Sequence, residues 1–401
     1  MYAMTTPRQS PVAGDLMSRR MVLFLLSSIA AFSNFFLLFA VVPLYASRSD
    51  AATVSAGLAT GAMMLGTVLT ELVTPGLLSR LGFRNAMALG ILMLGVPTIG
   101  MIASDDTALI LVISLLRGAG LAILVVAGTS LAAELSPTGR RGEGLGVYGL
   151  AVSVPAILAL PAGIWLSKHL GYDGVFGISI ATALLALLFV PQLPDQRPEG
   201  EQQHNMLLTL RQGSIARLTL IFGTTTLTSG VVVTFLPLAL GEDARNTASL
   251  ALLLQACAVS LTRWLGGRLG DRFGADRLLM PFLLLTAIGT LLLTRTGSPG
   301  VIVTGMLLFG IGFGAVQNLT LSMMFARAPR GEFSNVSALW NLAFDAGMGV
   351  GAVGFGLVAD RTGYAWGFAV IAAIIFAALI PTWRDRQSRM ARAAAGSELS
   401  S

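Results

Sequence analysis

Twelve apolar runs follow one another along this chain, at about 20–46, 54–78, 85–103, 107–133, 144–167, 174–193, 215–240, 247–269, 278–296, 299–326, 333–358 and 364–383. Roughly twenty apolar residues is the length at which an α-helix crosses bilayer hydrocarbon. Lipid offers the backbone no hydrogen-bond partner, so each run must bond within itself and be helical. Only 11% of the residues are charged and 54% are hydrophobic, whereas a domain facing water carries about a quarter charged residues. The expected fold is an all-α membrane protein with twelve transmembrane helices. Residues 1–18 read as a disordered tail, 19–193 as a six-helix bundle and 194–214 as a linker rich in Pro, Glu and Gln. A second six-helix bundle at 215–384 and a tail at 385–401 complete the chain. The first run is too long for the core of a cleaved leader and lacks a small-residue cleavage site, so it reads as the first span.

The two sets of six are copies. The turn Gly267-Arg-Leu-Gly-Asp271-Arg272-Phe-Gly274-Ala-Asp276-Arg277 has a worn counterpart 192 residues earlier, Pro75-Gly-Leu-Leu-Ser79-Arg80-Leu-Gly82-Phe-Arg84. The same offset pairs Arg117-Gly118-Ala-Gly120 with Phe309-Gly310-Ile-Gly312, Pro137 with Pro329, Gly171-Tyr172 with Gly363-Tyr364 and Phe176 with Phe368. A fixed offset held over separate segments marks an internal duplication, here of two pseudo-symmetric bundles. Duplicated membrane halves bind solute at their interface.

Several function classes are excluded on chemistry. The net charge of +6 could suggest nucleic acid, but the basic residues lie in short turns between spans, which is a topology signal. Assigning both termini to the cytoplasm leaves five of the 26 basic residues outside (Arg48, Lys168, Arg245, Arg295, Arg361) and most of the rest inside. The single cysteine, Cys257, supports no disulfide framework, and His169 and His204 have no metal-ligand spacing. The Gly-x-Gly pairs follow no strand, so they read as close helix packing and not as a nucleotide loop. No nucleophile–base pair is visible. No enzyme, cofactor or metal is expected.

Two six-helix sets joined by a linker, with Gly-x-x-x-Asp-Arg-x-Gly between the eighth and ninth spans, resemble the major facilitator superfamily over nearly the whole chain. Phe344-Asp345-Ala-Gly-Met-Gly-Val-Gly351, followed by Gly356-x-x-x-Asp360-Arg361-x-Gly363, is similar to the sugar-efflux and multidrug-efflux branch of drug:proton antiporters. The Arg117-Gly118-Ala-Gly120 segment resembles the family's fourth-span arginine motif, and Pro155 with Leu160-Pro161-Ala-Gly163 resembles a weakened fifth-span exporter motif. The resemblance implies alternating access, with spans 1, 2, 4, 5, 7, 8, 10 and 11 around a central cavity. It also implies a conformational switch at Gly267, Asp271, Arg272, Gly274 and Arg277, with Arg80 and Gly82 as first-half counterparts. The latching acid is present as Asp271 and replaced by Ser79 in the first half.

Four ionisable residues fall inside the predicted spans: Glu71, Arg117, Arg263 and Asp345. Each costs roughly 2.5–3.5 kcal/mol at the bilayer centre, so they must face one another or a wet cavity. Asp345 precedes Asp360 by 15 residues, about 22 Å along a helix, which places it near the midplane. It is the first candidate for a proton carrier, with an interhelical hydrogen bond as the bland alternative. Glu71 and Arg263 occupy matched positions, and an ion pair between them or local bonding within each half are both open. Arg117 could serve proton transfer or anion binding, as the resemblance implies, or bond the carbonyls of a neighbouring helix. Asn34, Tyr148, Gln255, Gln317, Asn318, Trp340, Asn341 and Phe344 are candidates to line the cavity, with packing as the alternative for each. The function expected is proton-coupled efflux of a small apolar or amphipathic solute (a drug-like compound, sugar or metabolite) by a monomer in the plasma membrane. The alternatives are a proton-coupled importer of a sugar or organic anion, and a non-transporting receptor or scaffold. Cysteines at Asp105→Cys and His204→Cys, in a Cys257→Ala background, test the topology: an impermeant thiol reagent added to intact cells should label 105 and not 204.

Overall fold

The computed structural model describes residues 16–48, 51–137, 140–197, 210–328 and 333–398, and every element among them is helical. The first bundle holds α1 (Arg19–Ala46), α2 (Ala52–Glu71), α3 (Thr74–Ala103) and α4 (Thr107–Leu135). One long run, Arg141–Phe189, then folds back at Gly171 (φ 71°) into α5 (141–170) and α6 (172–189). The second bundle holds α7 (Gly213–Leu240), α8 (Arg245–Phe273), α9 (Ala275–Leu292), α10 (Pro299–Arg327), α11 (Phe333–Thr362) and α12 (Tyr364–Glu398). Eleven helices are long and apolar enough to cross a membrane, and the fifth, at 50 residues, makes two passes. Twelve passes result.

The duplication is written into the backbone. Gly82 and Gly171 have positive φ (75° and 71°), and so do Gly274 and Gly363 (88° and 83°), the pairs matched at the 192-residue offset. Glycine holds this left-handed region without a Cβ clash, so these four reverse the chain where other residues would be strained. Packing repeats as well. A Cβ on Gly118 would strike the Met63 carbonyl, and one on the matched Gly310 would lie 2.7 Å from the carbonyl of Gln255, which itself matches Met63.

Two boundaries differ from the sequence reading. α2 stops at Glu71 and not near 78, because Pro75 has no N–H to bond the Glu71 carbonyl and its ring crowds that carbonyl, so it sits instead in the first turn of α3. Glu71 therefore ends a helix and is not interior to one. α3 starts at Thr74, and its membrane arm follows the Gly82 reversal. The twelfth apolar span, Tyr364–Trp383, ends where the sequence reading put it, and the helical backbone runs on to Glu398 with no proline after Pro381. Most of the expected N-terminal tail (1–15), most of the linker (198–209) and His204 lie outside the described residues.

The bundles meet on the side where α2 and α8 begin. Gly57 faces the carbonyl of Ala352, 2.6 Å from where its Cβ would stand, and Gly356 faces that of Thr53 at 3.1 Å. Thr60 and Thr234 share a hydrogen bond of 2.7 Å, and the Ser249 hydroxyl donates to the Pro161 carbonyl at 2.8 Å. These contacts close one side of the molecule and leave the cavity toward the side carrying the chain termini. Two glycines test the difference between packing within and between bundles. Gly118→Val should overpack the first bundle, cost roughly 1–3 kcal/mol and lower the melting temperature in detergent. Gly57→Val should keep the fold and lengthen the distance between spin labels at Asp105→Cys and Arg361→Cys.

Candidate functional site

A cavity of about 370 Å³ lies between the bundles, lined from α1, α2, α4, α5, α7, α8, α10 and α11. Its walls come from helical stripes. α8 presents Gln255, Ala256, Val259, Ser260 and Arg263, and α11 presents Trp340, Asn341, Phe344, Asp345 and Met348, the same spacing of 1, 4, 5 and 8 residues on both. That spacing puts each set on one helix face. α1 adds Phe32, Phe35, Phe36 and Phe39. Opposite them, Trp340 stacks on Phe222 at 4.6 Å between centroids, with Phe344 6.0 Å away. The Arg263 guanidinium sits 5.7 Å from the Trp340 ring centroid, a cation–π arrangement. The buried Trp340 Nε1 has no hydrogen-bond partner among the described residues.

The two acids of the cavity meet. Glu71, ending α2, and Asp345, on α11, face each other across the two bundles at the cavity wall. Two carboxylates side by side repel, so a single proton shared between them eases the pair. Of the two readings left open for Glu71 and Arg263, the mutual ion pair is absent among the described residues, although both side chains line the cavity. The reason is geometric: α2 packs against α11 and α5 against α8, so α2 and α8 do not adjoin.

The other candidates divide. Gln255, Gln317, Trp340, Asn341 and Phe344 line the cavity, and Asn34, Tyr148, Asn318 and Arg117 do not. Asn34 is buried within the first bundle, where its Nδ2 donates to the Ser179 carbonyl and hydroxyl, both at 2.7 Å. Arg117, also buried, donates to the Leu94 carbonyl at 2.6 Å, to Thr98 Oγ1 at 2.7 Å and to Asn34 Oδ1 at 3.3 Å. It is held by its own bundle, as a membrane-buried guanidinium must be. Tyr148 stacks on Phe24 at 5.4 Å, and Asn318 accepts from the Ser322 hydroxyl at 3.2 Å.

At the switch turns, Gly82 and Gly274 make matched reversals, while Arg80, Asp271, Arg272 and Arg277 are exposed. Asp271 makes no ion pair among the described residues, and Arg272 lies 5.2 Å from the Phe273 ring centroid. Gly267 packs near the Asn318 side chain. The working contacts there are ones the sequence reading missed. Arg84 donates to the Leu193 carbonyl at 2.9 and 2.7 Å and lies 3.7 Å from Asp195. Its counterpart Asp276 accepts from Arg327 at 3.2 Å, and Arg327 also donates to the Ser214 carbonyl at 3.3 Å. Opposite charges at the matched positions 84 and 276 were the available signal. Phe35, Phe39, Met64 and Phe313 in the lining were also missed, though the 32-35-36-39 aromatic stripe was legible.

Two six-helix bundles around a central cavity lined from both are the architecture of a secondary transporter. The chain belongs to the Major Facilitator Superfamily, whose family model matches residues 23–220 and 218–399. It is 24% identical over 379 residues to the MFS-type transporter YtbD of Bacillus subtilis (strain 168), covering 90% of this chain and 95% of that protein. It is 27% identical over 312 residues to the MFS-type transporter Rv1877 of Mycobacterium tuberculosis, 76% of this chain but 40% of that longer protein. The xylose transporter XylE from E. coli, in a partially occluded inward open conformation, shares the fold with a TM-score of 0.70 at 15% identity, over 92% of this chain and 98% of that one.

Arg117→Met tests the placement of the buried arginine. It strands the Leu94 carbonyl, Thr98 and Asn34, so we expect a loss of about 1–3 kcal/mol of stability and lower monodispersity after detergent extraction. Arg263→Met should leave both unchanged.

Proposed function

We propose that this protein exports a small amphipathic solute in exchange for protons, with Glu71 and Asp345 acting together as one proton site. The observation that carries the reading is the meeting of these two acids, one from each bundle, at the wall of the cavity. A proton held between them joins α2 to α11; its departure leaves two adjacent negative charges that repel. Proton occupancy and bundle separation are thereby the same variable, which is what coupling requires. The aromatic walls on α1 and α11 suit an apolar body. Gln255, Gln317, Asn341 and Arg263 suit a polar head. One proton falling through 100 mV releases about 2.3 kcal/mol, which sustains about a 50-fold gradient of a neutral solute at roughly 1.4 kcal/mol per decade.

A second reading, proton-coupled import of a sugar or organic anion, draws on the amides Gln255, Gln317 and Asn341 beside the Trp340 ring. Direction separates the two. In cells stripped of their main exporters, expression should lower accumulation of amphipathic dyes, and an uncoupler should restore it; raised accumulation of a sugar would favour import. With both termini and the 194–214 linker cytoplasmic in the plasma membrane, the cavity side faces the cell interior.

An amide can donate to the remaining carboxylate without any added proton. Asp345→Asn and Glu71→Gln should therefore keep folded protein and solute exchange between equal pools, and abolish gradient-driven accumulation in proteoliposomes, from tens-fold to unity. Intact proton-driven accumulation in either variant would remove the pair as the carrier.

A further inference from the structure

A crevice of about 440 Å³ opens on the outer face of the molecule between α2 and α11. Leu65 and Val68 wall it on one side, Ala346, Val350 and Val353 on the other. None of these offers a polar side chain. Leu65 is 51% and Val350 65% exposed, on helices long and apolar enough to span the membrane. Outward-facing surface on such spans meets acyl chains, so hydrocarbon is what fills this crevice.

Its inner wall is Met64, which is 2% exposed and also lines the central cavity. On α11 the same adjacency recurs: Asp345 faces the cavity and its neighbour Ala346 the crevice. The Met64 side chain thus lies between the crevice and the cavity and borders both. It rests on Gly349, where a Cβ would stand 2.9 Å from that of Met64. Methionine is unbranched, with three rotatable bonds, and a partition built from it against a glycine can swing aside.

We propose that the α2–α11 crevice is a lateral port for the apolar tail of an amphipathic solute, with Met64 as its gate. The inference rests on the amphipathic-solute reading above and narrows it to solutes having one polar head and a linear tail. The head occupies the cavity beside Glu71, Asp345 and Arg263 while the tail lies across Met64 in the crevice. Such a solute reaches the site from the membrane without drawing its tail through water.

The test uses the full chain in phosphatidylcholine–phosphatidylglycerol nanodiscs, without any proton gradient. The probes are two dansyl amines that differ only in a butyl or dodecyl chain, followed by dansyl anisotropy. Val350→Trp plugs the crevice mouth and lies outside the cavity lining. It should slow association of the dodecyl probe at least tenfold and change that of the butyl probe less than twofold. Leu65→Trp, on the opposite rim, should do the same and serves if the first variant folds poorly. Met64→Ile, which stiffens the gate by β-branching, should also slow the dodecyl probe. Equal slowing of both probes, or of neither, overturns the port while leaving proton-coupled transport standing. Failure of the unmodified protein to bind either probe overturns the amphipathic-solute reading, and the port with it.

Discussion

The approach of α2 to α11 is the contact on which the remainder turns. Lipid supplies no hydrophobic drive to bring two helices together, so they associate through close van der Waals fit, and small residues permit it. Gly57 and Gly356 let backbone meet backbone at one end of this seam, while Glu71 and Asp345 meet at the other. One end is fixed by the shape of the helices and the other carries a pair of acids. The cavity lies to one side of this line and the apolar crevice to the other.

Much of the fold was legible because it follows from solvent. Runs of apolar residues must be helices in lipid, and the offset of 192 announced two copies that the glycine reversals at 82, 171, 274 and 363 then display. The cavity helices followed from family resemblance, and the polar lining from α8 and α11 was among the residues named. What stayed hidden is relational. Glu71 and Arg263 correspond by sequence offset, yet correspondence under a duplication says nothing of contact. Which helices adjoin depends on how the bundles are rotated against each other, and here α2 meets α11. The end of α2 was misjudged for a local reason, since the apolar run continues through Leu72–Leu78 and only Pro75 marks the stop.

Duplication fixed the backbone and left the side chains free to diverge. Arg117 corresponds to Phe309. In the first bundle the position carries a guanidinium bonded to α1 and to the α3 positions Leu94 and Thr98; in the second it carries a ring stacked 5.3 Å from Phe313. The same site between helices is satisfied once by directional hydrogen bonds and once by ring packing. Arg117 is held by its own bundle and lies outside the cavity lining, so a charged residue inside a span need not face the solute site.

The fastenings at the switch turns bear on how such a chain can be divided. Arg84 grips Leu193 and Asp195, where the first bundle ends, and Arg327 grips Ser214, where the second begins. These bonds lie within one half each. Two separate polypeptides, cut between residues 198 and 209 and made in the same cell, would each keep a fastened end and could find one another along the glycine seam.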